Sequence, residues 1–141
     1  MPPGAAFARV QHRVPFYETD AMGVVHHANY VKYLELARIA WLDEHDQPYR
    51  AYIEADRQLA TIHIELDYHR AARFDDRIEV CVWLDWVRHA SLRMCYELAC
   101  DGVRIATGAT EHCAIDSEGR PRRIPRERHA ALQALAVRAT P

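Results

Sequence analysis

Residues Ala28–Glu44, ANYVKYLELARIAWLDE, decide the fold. The stretch contains no Gly or Pro, and Tyr30, Tyr33, Leu34, Ala37, Ala40 and Trp41 recur at helical spacing with Lys32, Glu35, Arg38 and Asp43 among them. That period predicts one long helix with a wide apolar face, which needs a partner layer to bury it. Upstream, Ala8 to Phe16 places Val10, His12, Val14 and Phe16 on one side of a predicted strand, with Pro15 marking its end. The Pro2-Pro3-Gly4 segment before that strand reads as frayed.

Downstream, Asp46 to Ala60 reads as a connection with one or two helical turns around Tyr49, Tyr52 and Ile53. The period then changes to two. Ile62, Ile64, Leu66 and Tyr68 alternate with His63, Glu65, Asp67 and His69, and Ile78, Val80, Val82, Leu84 and Trp86 alternate with Glu79, Cys81, Trp83 and Asp85. Leu92, Met94, Tyr96 and Leu98 share one face of a third strand in this run. Asp101-Gly102 is a hairpin signal, and Val103 to Ile115 forms the next strand. Ser117-Glu118-Gly119 ends it, Pro121 to Pro125 is a basic, proline-punctuated exit, and Arg126 to Arg138 is a weakly amphipathic helix.

One strand, a long helix and four strands joined by short turns make an α+β domain in which an antiparallel five-stranded sheet wraps one central helix, the arrangement called the hotdog fold. The 141 residues suit one domain, with a core at about residues 8–117 and a tail at 118–141. Open sheet edges of this kind are commonly covered by a second copy, so a homodimer, or a dimer of dimers making a homotetramer, is expected. A net charge of −2 does not favour a nucleic-acid partner. No run nears the roughly 20 apolar residues of a membrane helix, and the N-terminus lacks signal-peptide character, so a cytoplasmic protein is expected. Cys81, Cys95, Cys100 and Cys113 have no C-x-x-C spacing and read as reduced, packed thiols.

Elimination narrows the chemistry. The five glycines assemble neither a dinucleotide G-x-G-x-x-G nor a phosphate loop, and with Ser91 and Ser117 the only serines there is no G-x-S-x-G elbow. H-E-x-x-H is absent. His26-His27 has no third ligand at a usual spacing, so no metal is assigned. What remains is Asp20, a turn-permitting Gly23, and a helix start whose first backbone N–H groups lack intrahelical partners. A carboxylate beside such donors is a catalytic arrangement. The simpler alternative is that Asp20 only caps the turn before Gly23.

The stretch Tyr17–Tyr30, YETDAMGVVHHANY, resembles the signature of the 4-hydroxybenzoyl-CoA and YbgC-like acyl-CoA thioesterases of the hotdog superfamily. Leu34–Arg38 is similar to that family's central helix, Leu66–Tyr68 and Ala72–Asp76 to its next strands, and Arg120–Pro125 to its closing segment, so the resemblance spans roughly Val10 to Pro125. It implies hydrolysis of an acyl-CoA thioester with no cofactor, coenzyme A being part of the substrate. It implies Asp20 as the catalytic carboxylate, as nucleophile or general base, and His27 at the helix start whose N–H polarises the thioester carbonyl. Gly23, Val25 and His26 join His27 around the oxyanion and substrate. In relatives the turn between the third and fourth strands helps bind coenzyme A, which points to Arg88 and Ser91, and Arg120, Arg122 and Arg123 form a second candidate phosphate patch. The chain departs from the family at Phe16, where a tyrosine is frequent.

The implied chemistry is physically sufficient. An Asp with a reference pKa of about 3.9 is ionised at neutral pH, and a thiolate of pKa about 8.5 leaves with little proton assistance. Glu35, three residues from both Lys32 and Arg38, reads as an ion-pair partner instead of a second acid. Two other classes fit less of the pattern: a hydratase using Asp20 and His27 on an enoyl thioester, and a non-catalytic acyl-CoA binding module. The acyl group is not readable, because Tyr30, Tyr33, Trp83 and Trp86 suit a core as well as a pocket.

Overall fold

The computed structural model describes residues 1–139. In chain order these form β1 (Phe7–Arg13), a 3-10 turn (Phe16–Glu18), α1 (Asn29–His45), α2 (Tyr49–Glu54), β2 (Gln58–Tyr68), β3 (Arg77–Val87), β4 (Ser91–Cys100), β5 (Val103–Ile115) and α3 (Arg126–Leu135). The five strands make one sheet in the order β1-β3-β4-β5-β2, with every neighbouring pair antiparallel. This is the expected α+β class.

Helix α1 has 17 residues and buries Tyr30, Tyr33, Leu34, Ala37 and Trp41, the stripe that its period predicts. It packs against β1 and β3, where Ala8, Val80, Val82 and Leu84 are buried. The hairpin between β4 and β5 turns at Asp101 and Gly102, which both have positive φ, 49° and 75°, as an Asp-Gly turn of the primed type requires. All four cysteines lie in strands as free thiols. Among the described residues no helix is long and apolar enough to cross a membrane.

The structure departs from the simple alternations where strands bulge. The register of β2 against β5 shifts between Thr61 and His63, so Leu59 and Thr61 face Ala114 and His112 before the bulge, while Ile64, Leu66 and Tyr68 face Thr110, Gly108 and Ala106 after it. Ile62 falls at the bulge and is 59% exposed, contrary to the single face expected for it. The register of β3 likewise shifts between Leu84 and Trp86, which puts Val87 rather than Trp86 opposite the core residue Leu92. Trp86 pairs with Arg93 instead, and Arg88 lies over its ring at 4.5 Å.

Two terminal boundaries also differ from expectation. Strand β1 stops at Arg13, and Phe16, expected on its inner face, sits in the 3-10 turn at 76% exposure, touching Phe74 edge-on. Helix α3 stops at Leu135, where Ala136 turns to extended backbone, and Val137 and Arg138 then donate to the carbonyls of Leu84 and Asp85 at 3.0 and 2.8 Å. They pair the edge of β3 that lies beyond the start of β1, and the Arg138 guanidinium binds the buried Asp85 carboxylate. Ahead of the Pro2-Pro3-Gly4 segment the first residue is tied down: the Met1 ammonium pairs with Glu97, and the Met1 thioether meets the Cys81 thiol at 3.3 Å.

Candidate active site

The segment from Glu18 to Asn29 carries every residue singled out around Asp20. It closes on itself by a bridge between Thr19 and Val25 and docks on the β2–β3 connection by a bridge between Val24 and Arg73. Asp20 heads a tight turn: its N–H donates to Val24 O at 2.8 Å, and its carbonyl accepts from Gly23 N–H at 2.9 Å. Gly23 has φ +78°, a left-handed conformation that costs a residue with a Cβ of the order of 1–2 kcal/mol. The Asp20 carboxylate accepts through Oδ1 from Met22 N–H at 2.8 Å and from Val24 N–H at 3.4 Å. Asp20 therefore does cap its turn. The capping uses one oxygen and leaves Oδ2 without a hydrogen bond among the described residues, on a side chain that remains part-exposed.

The backbone donors that follow can be accounted for one by one. Gly23 N–H is spent on Asp20 O and Val24 N–H on the Asp20 carboxylate; Val25 N–H goes to Ala72 O and His26 N–H to Glu18 O, each at 2.8 Å. Ala28 N–H reaches His26 Nδ1 at 3.1 Å, and Asn29 N–H reaches His26 O at 2.9 Å. His27 N–H alone in this run has no partner among the described residues. The His27 carbonyl, in contrast, is held by the Tyr68 hydroxyl at 3.0 Å, so Tyr68 fixes the position of the residue whose N–H is free.

A cavity of about 250 Å³ opens at this point, lined by Val24, His27, Tyr30, Tyr68 and Arg70 among others. Tyr30 and Tyr68 meet edge to face at 4.9 Å, and burial raises the pKa of both hydroxyls, so each stays a protonated donor at neutral pH. The His26 and His27 rings stack at 4.2 Å. Val25 is buried and lines the same cavity, its N–H spent on Ala72 O. Among the described residues no three His, Cys, Asp or Glu side chains gather where they hold a metal ion.

Sequence reasoning missed the support beneath this loop. Glu18 is buried; its Oε1 receives the Tyr33 hydroxyl at 2.6 Å and lies 2.8 Å from His12 Nε2. Burial, then the Glu18 contact, raises the Tyr33 pKa strongly, so the proton stays on the phenol. The Glu18 carbonyl accepts from the Asn29 side chain at 2.8 Å as well as from His26 N–H. One residue thus ties β1, the loop and α1 together. Its only signal in the sequence is a carboxylate two residues from Asp20, which no periodicity distinguishes from a surface residue.

Arg88 and Ser91 close the β3–β4 turn, Arg88 N–H donating to Ser91 O at 2.7 Å, at the end of β3 away from Arg77 and the Val14–Asp76 contact. Of the Arg120–Arg123 patch, Arg120 pairs with Glu118 and Arg122 with Asp116, while Arg123 has no carboxylate partner among the described residues.

The family model for the thioesterase-like superfamily matches residues 14–135, a span that holds the loop, the helix and the last four strands. The chain belongs to that superfamily. It is accordingly a thioester hydrolase, as the resemblance in Tyr17–Tyr30 implied. The acyl-CoA thioesterase YbgC of Haemophilus influenzae is 29% identical over 126 residues, covering 87% of this chain and 92% of that protein. A hypothetical protein, TT1821, from Thermus thermophilus superposes with a TM-score of 0.87 at 31% identity, over 94% of this chain and 99% of that one. A thioesterase complexed with coenzyme A and Zn, also from Thermus thermophilus, superposes with a TM-score of 0.80 at 28% identity, over 97% of this chain and 98% of that one. With the superfamily shown, the α+β sheet is that of a hotdog thioesterase.

Proposed function

We propose that this protein hydrolyses acyl-CoA thioesters to the free carboxylic acid and coenzyme A, with the Asp20 carboxylate and the His27 N–H as its reacting groups. The observation that carries the reading is the unspent His27 N–H in a run where every neighbouring N–H is engaged, beside a cavity and in the same loop as Asp20. A thioester carbonyl seated against that N–H develops negative charge as it is attacked, and a preorganised donor at the start of α1 stabilises that charge. Asp20 Oδ2 either attacks the carbonyl carbon, giving an anhydride that water opens, or takes a proton from the water that attacks. On the first route the C–S bond breaks and the thiolate leaves as the anhydride forms, before water opens it; on the second the thiolate leaves when the tetrahedral intermediate formed by the attacking water collapses. No step calls on a metal or a bound cofactor.

The same reading assigns the sheet a curve around α1 and makes the whole chain one domain acting as a homodimer, or as a homotetramer built from two. Support for the dimer comes from β2, which ends the sheet with its outer edge unpaired among the described residues while Ile62 and Ile64 are 59% and 41% exposed. The free thiols suit the reducing cytoplasm. Coenzyme A as the carrier follows the relatives named for it, and Gly23 and His26 act by shaping the donor loop. Arg88 and Ser91 are assigned to the nucleotide end.

A panel of short-chain, long-chain and aroyl-CoA thioesters, read by release of free thiol, tests the proposal, and an enoyl-CoA read by loss of its conjugated absorbance tests for hydration. Thiol release from at least one member without hydration is the expected result. Hydration without thiol release overturns it. His27→Ala retains near-normal turnover if the backbone N–H is the working group.

A further inference from the structure

At the end of the sheet where β3 turns into β4, a cavity of about 460 Å³ is lined by Arg57, His89, Arg123, Arg126 and His129, with Ile124 and Pro125 as its apolar wall. No carboxylate is among its lining residues. The chain as a whole carries a net charge of −2, so three arginines lining one concavity run against its average. Like charges gathered without counter-charges repel one another, and an anion placed between them removes that repulsion.

The surroundings show how the arginines are kept free. Among the described residues Arg57 is pinned by backbone carbonyls alone, Nε to Arg123 O at 3.2 Å and Nη1 to Asp56 O at 2.9 Å. The nearest acid in sequence, Asp56, is turned away to accept from Ser117 N–H at 2.7 Å. Arg120, Arg122 and Arg128, which flank the cavity in sequence, are each neutralised by a carboxylate: Glu118, Asp116 and Asp46. Arg57, Arg123 and Arg126 have no ion pair among the described residues. His89 and His129 stack nearly parallel, 5.1 Å apart at 19°, and the main chain between them is fixed by Ile124 N–H donating to His89 O at 2.8 Å. Helix α3 begins at Arg126, after Pro125, so its positive end opens on the same space.

The geometry points to a binding site for a phosphorylated small molecule, a phosphomonoester or a diphosphate, held by Arg57, Arg123 and Arg126 with the His89–His129 pair beside them. Planar guanidinium groups match the spacing of phosphate oxygens two at a time, and the volume falls in the range of small-ligand pockets, about 300–1,000 Å³. The site uses none of the residues of the Asp20–His27 loop, and its assignment does not depend on the reading of that loop. The phosphate has two sources: the nucleotide end of a coenzyme A thioester, or a free nucleotide or diphosphate.

Inorganic diphosphate titrated into the full chain by calorimetry, with the imidazole resonances of His89 and His129 followed by NMR, tests the assignment. Saturable binding that shifts both histidines, and that weakens by about tenfold or more in R123Q/R126Q, is expected. R57Q, made separately, guards against a local rearrangement in the double variant and is expected to weaken binding as well. Absence of saturable binding at millimolar diphosphate, or binding that moves neither histidine, or equal affinity in a folded R123Q/R126Q protein, overturns the assignment. Coenzyme A, its 3′-dephospho form, pantetheine and ADP distinguish the sources: coenzyme A and its dephospho form shifting the histidines where ADP does not indicates the carrier, and ADP acting as well as coenzyme A indicates a free nucleotide. Pantetheine shifting them as strongly as either refutes a phosphate site.

Discussion

Acidification is expected to destabilise this protein through His112. The residue lies on β5, fully buried, with Nε2 2.7 Å from Thr110 Oγ1 and Nδ1 3.2 Å from Thr61 Oγ1. Burial, and after it the charge of Arg38, depress its pKa from 6.5 to about 3. The unfolded chain therefore takes up a proton near pH 6.5 that the folded chain refuses until about pH 3. Stability from this group is complete above pH 6.5 and is lost progressively as the pH falls towards 3. At about 1.4 kcal/mol per pH unit the loss between pH 7 and pH 5 is about 2 kcal/mol, against a usual total of roughly 5–15 kcal/mol. Urea denaturation followed by tryptophan fluorescence at pH 7, 6 and 5 measures it. His112→Gln starts less stable, because it disturbs the Thr110–Tyr96 contact at 2.7 Å, yet its stability falls by about 2 kcal/mol less over the same pH range. Parallel pH profiles for the two proteins refute the reasoning, since the carboxylates are common to both.

Two substitutions test the frame of the site. A Cβ at Gly108 meets Glu65 O and Leu66 Cδ2 at 2.9 Å each, so Gly108→Ala forces β2 away from β5 and destabilises by about 1–3 kcal/mol, seen as a lower midpoint in thermal melting. Glu18→Ala strands the Tyr33 hydroxyl and the His12 ring, and denaturant titration is expected to show a loss of about 1–3 kcal/mol; an unchanged midpoint removes Glu18 as the brace of the loop.

Much of this architecture is legible in the sequence because burial imposes periodicity. The stripe of α1 and the alternation Leu92, Met94, Tyr96, Leu98 each face one core, and the structure buries them as read. The Asp101-Gly102 turn is legible for a local reason, since few other pairs tolerate positive φ twice. The bulges at Ile62 and Asp85 are not legible: one extra residue shifts the phase without changing composition, so simple alternation puts Ile62 and Trp86 on the wrong face. The site divides in the same way. Asp20 and the loop to His27 form one contiguous motif. Tyr68 reaches His27 from 41 residues away and Tyr33 reaches Glu18 from 15, and contacts across such gaps leave no local pattern.

The central claim is that the Asp20 carboxylate carries the reaction, and Asp20→Asn tests it most directly. The amide oxygen can still accept from Met22 and Val24 N–H, so the turn is kept while the negative charge is removed. With circular dichroism confirming the fold, thiol release from the best acyl-CoA substrate is expected to fall by about 10²–10⁴-fold. A folded Asp20→Asn protein that releases thiol at the wild-type rate contradicts the account.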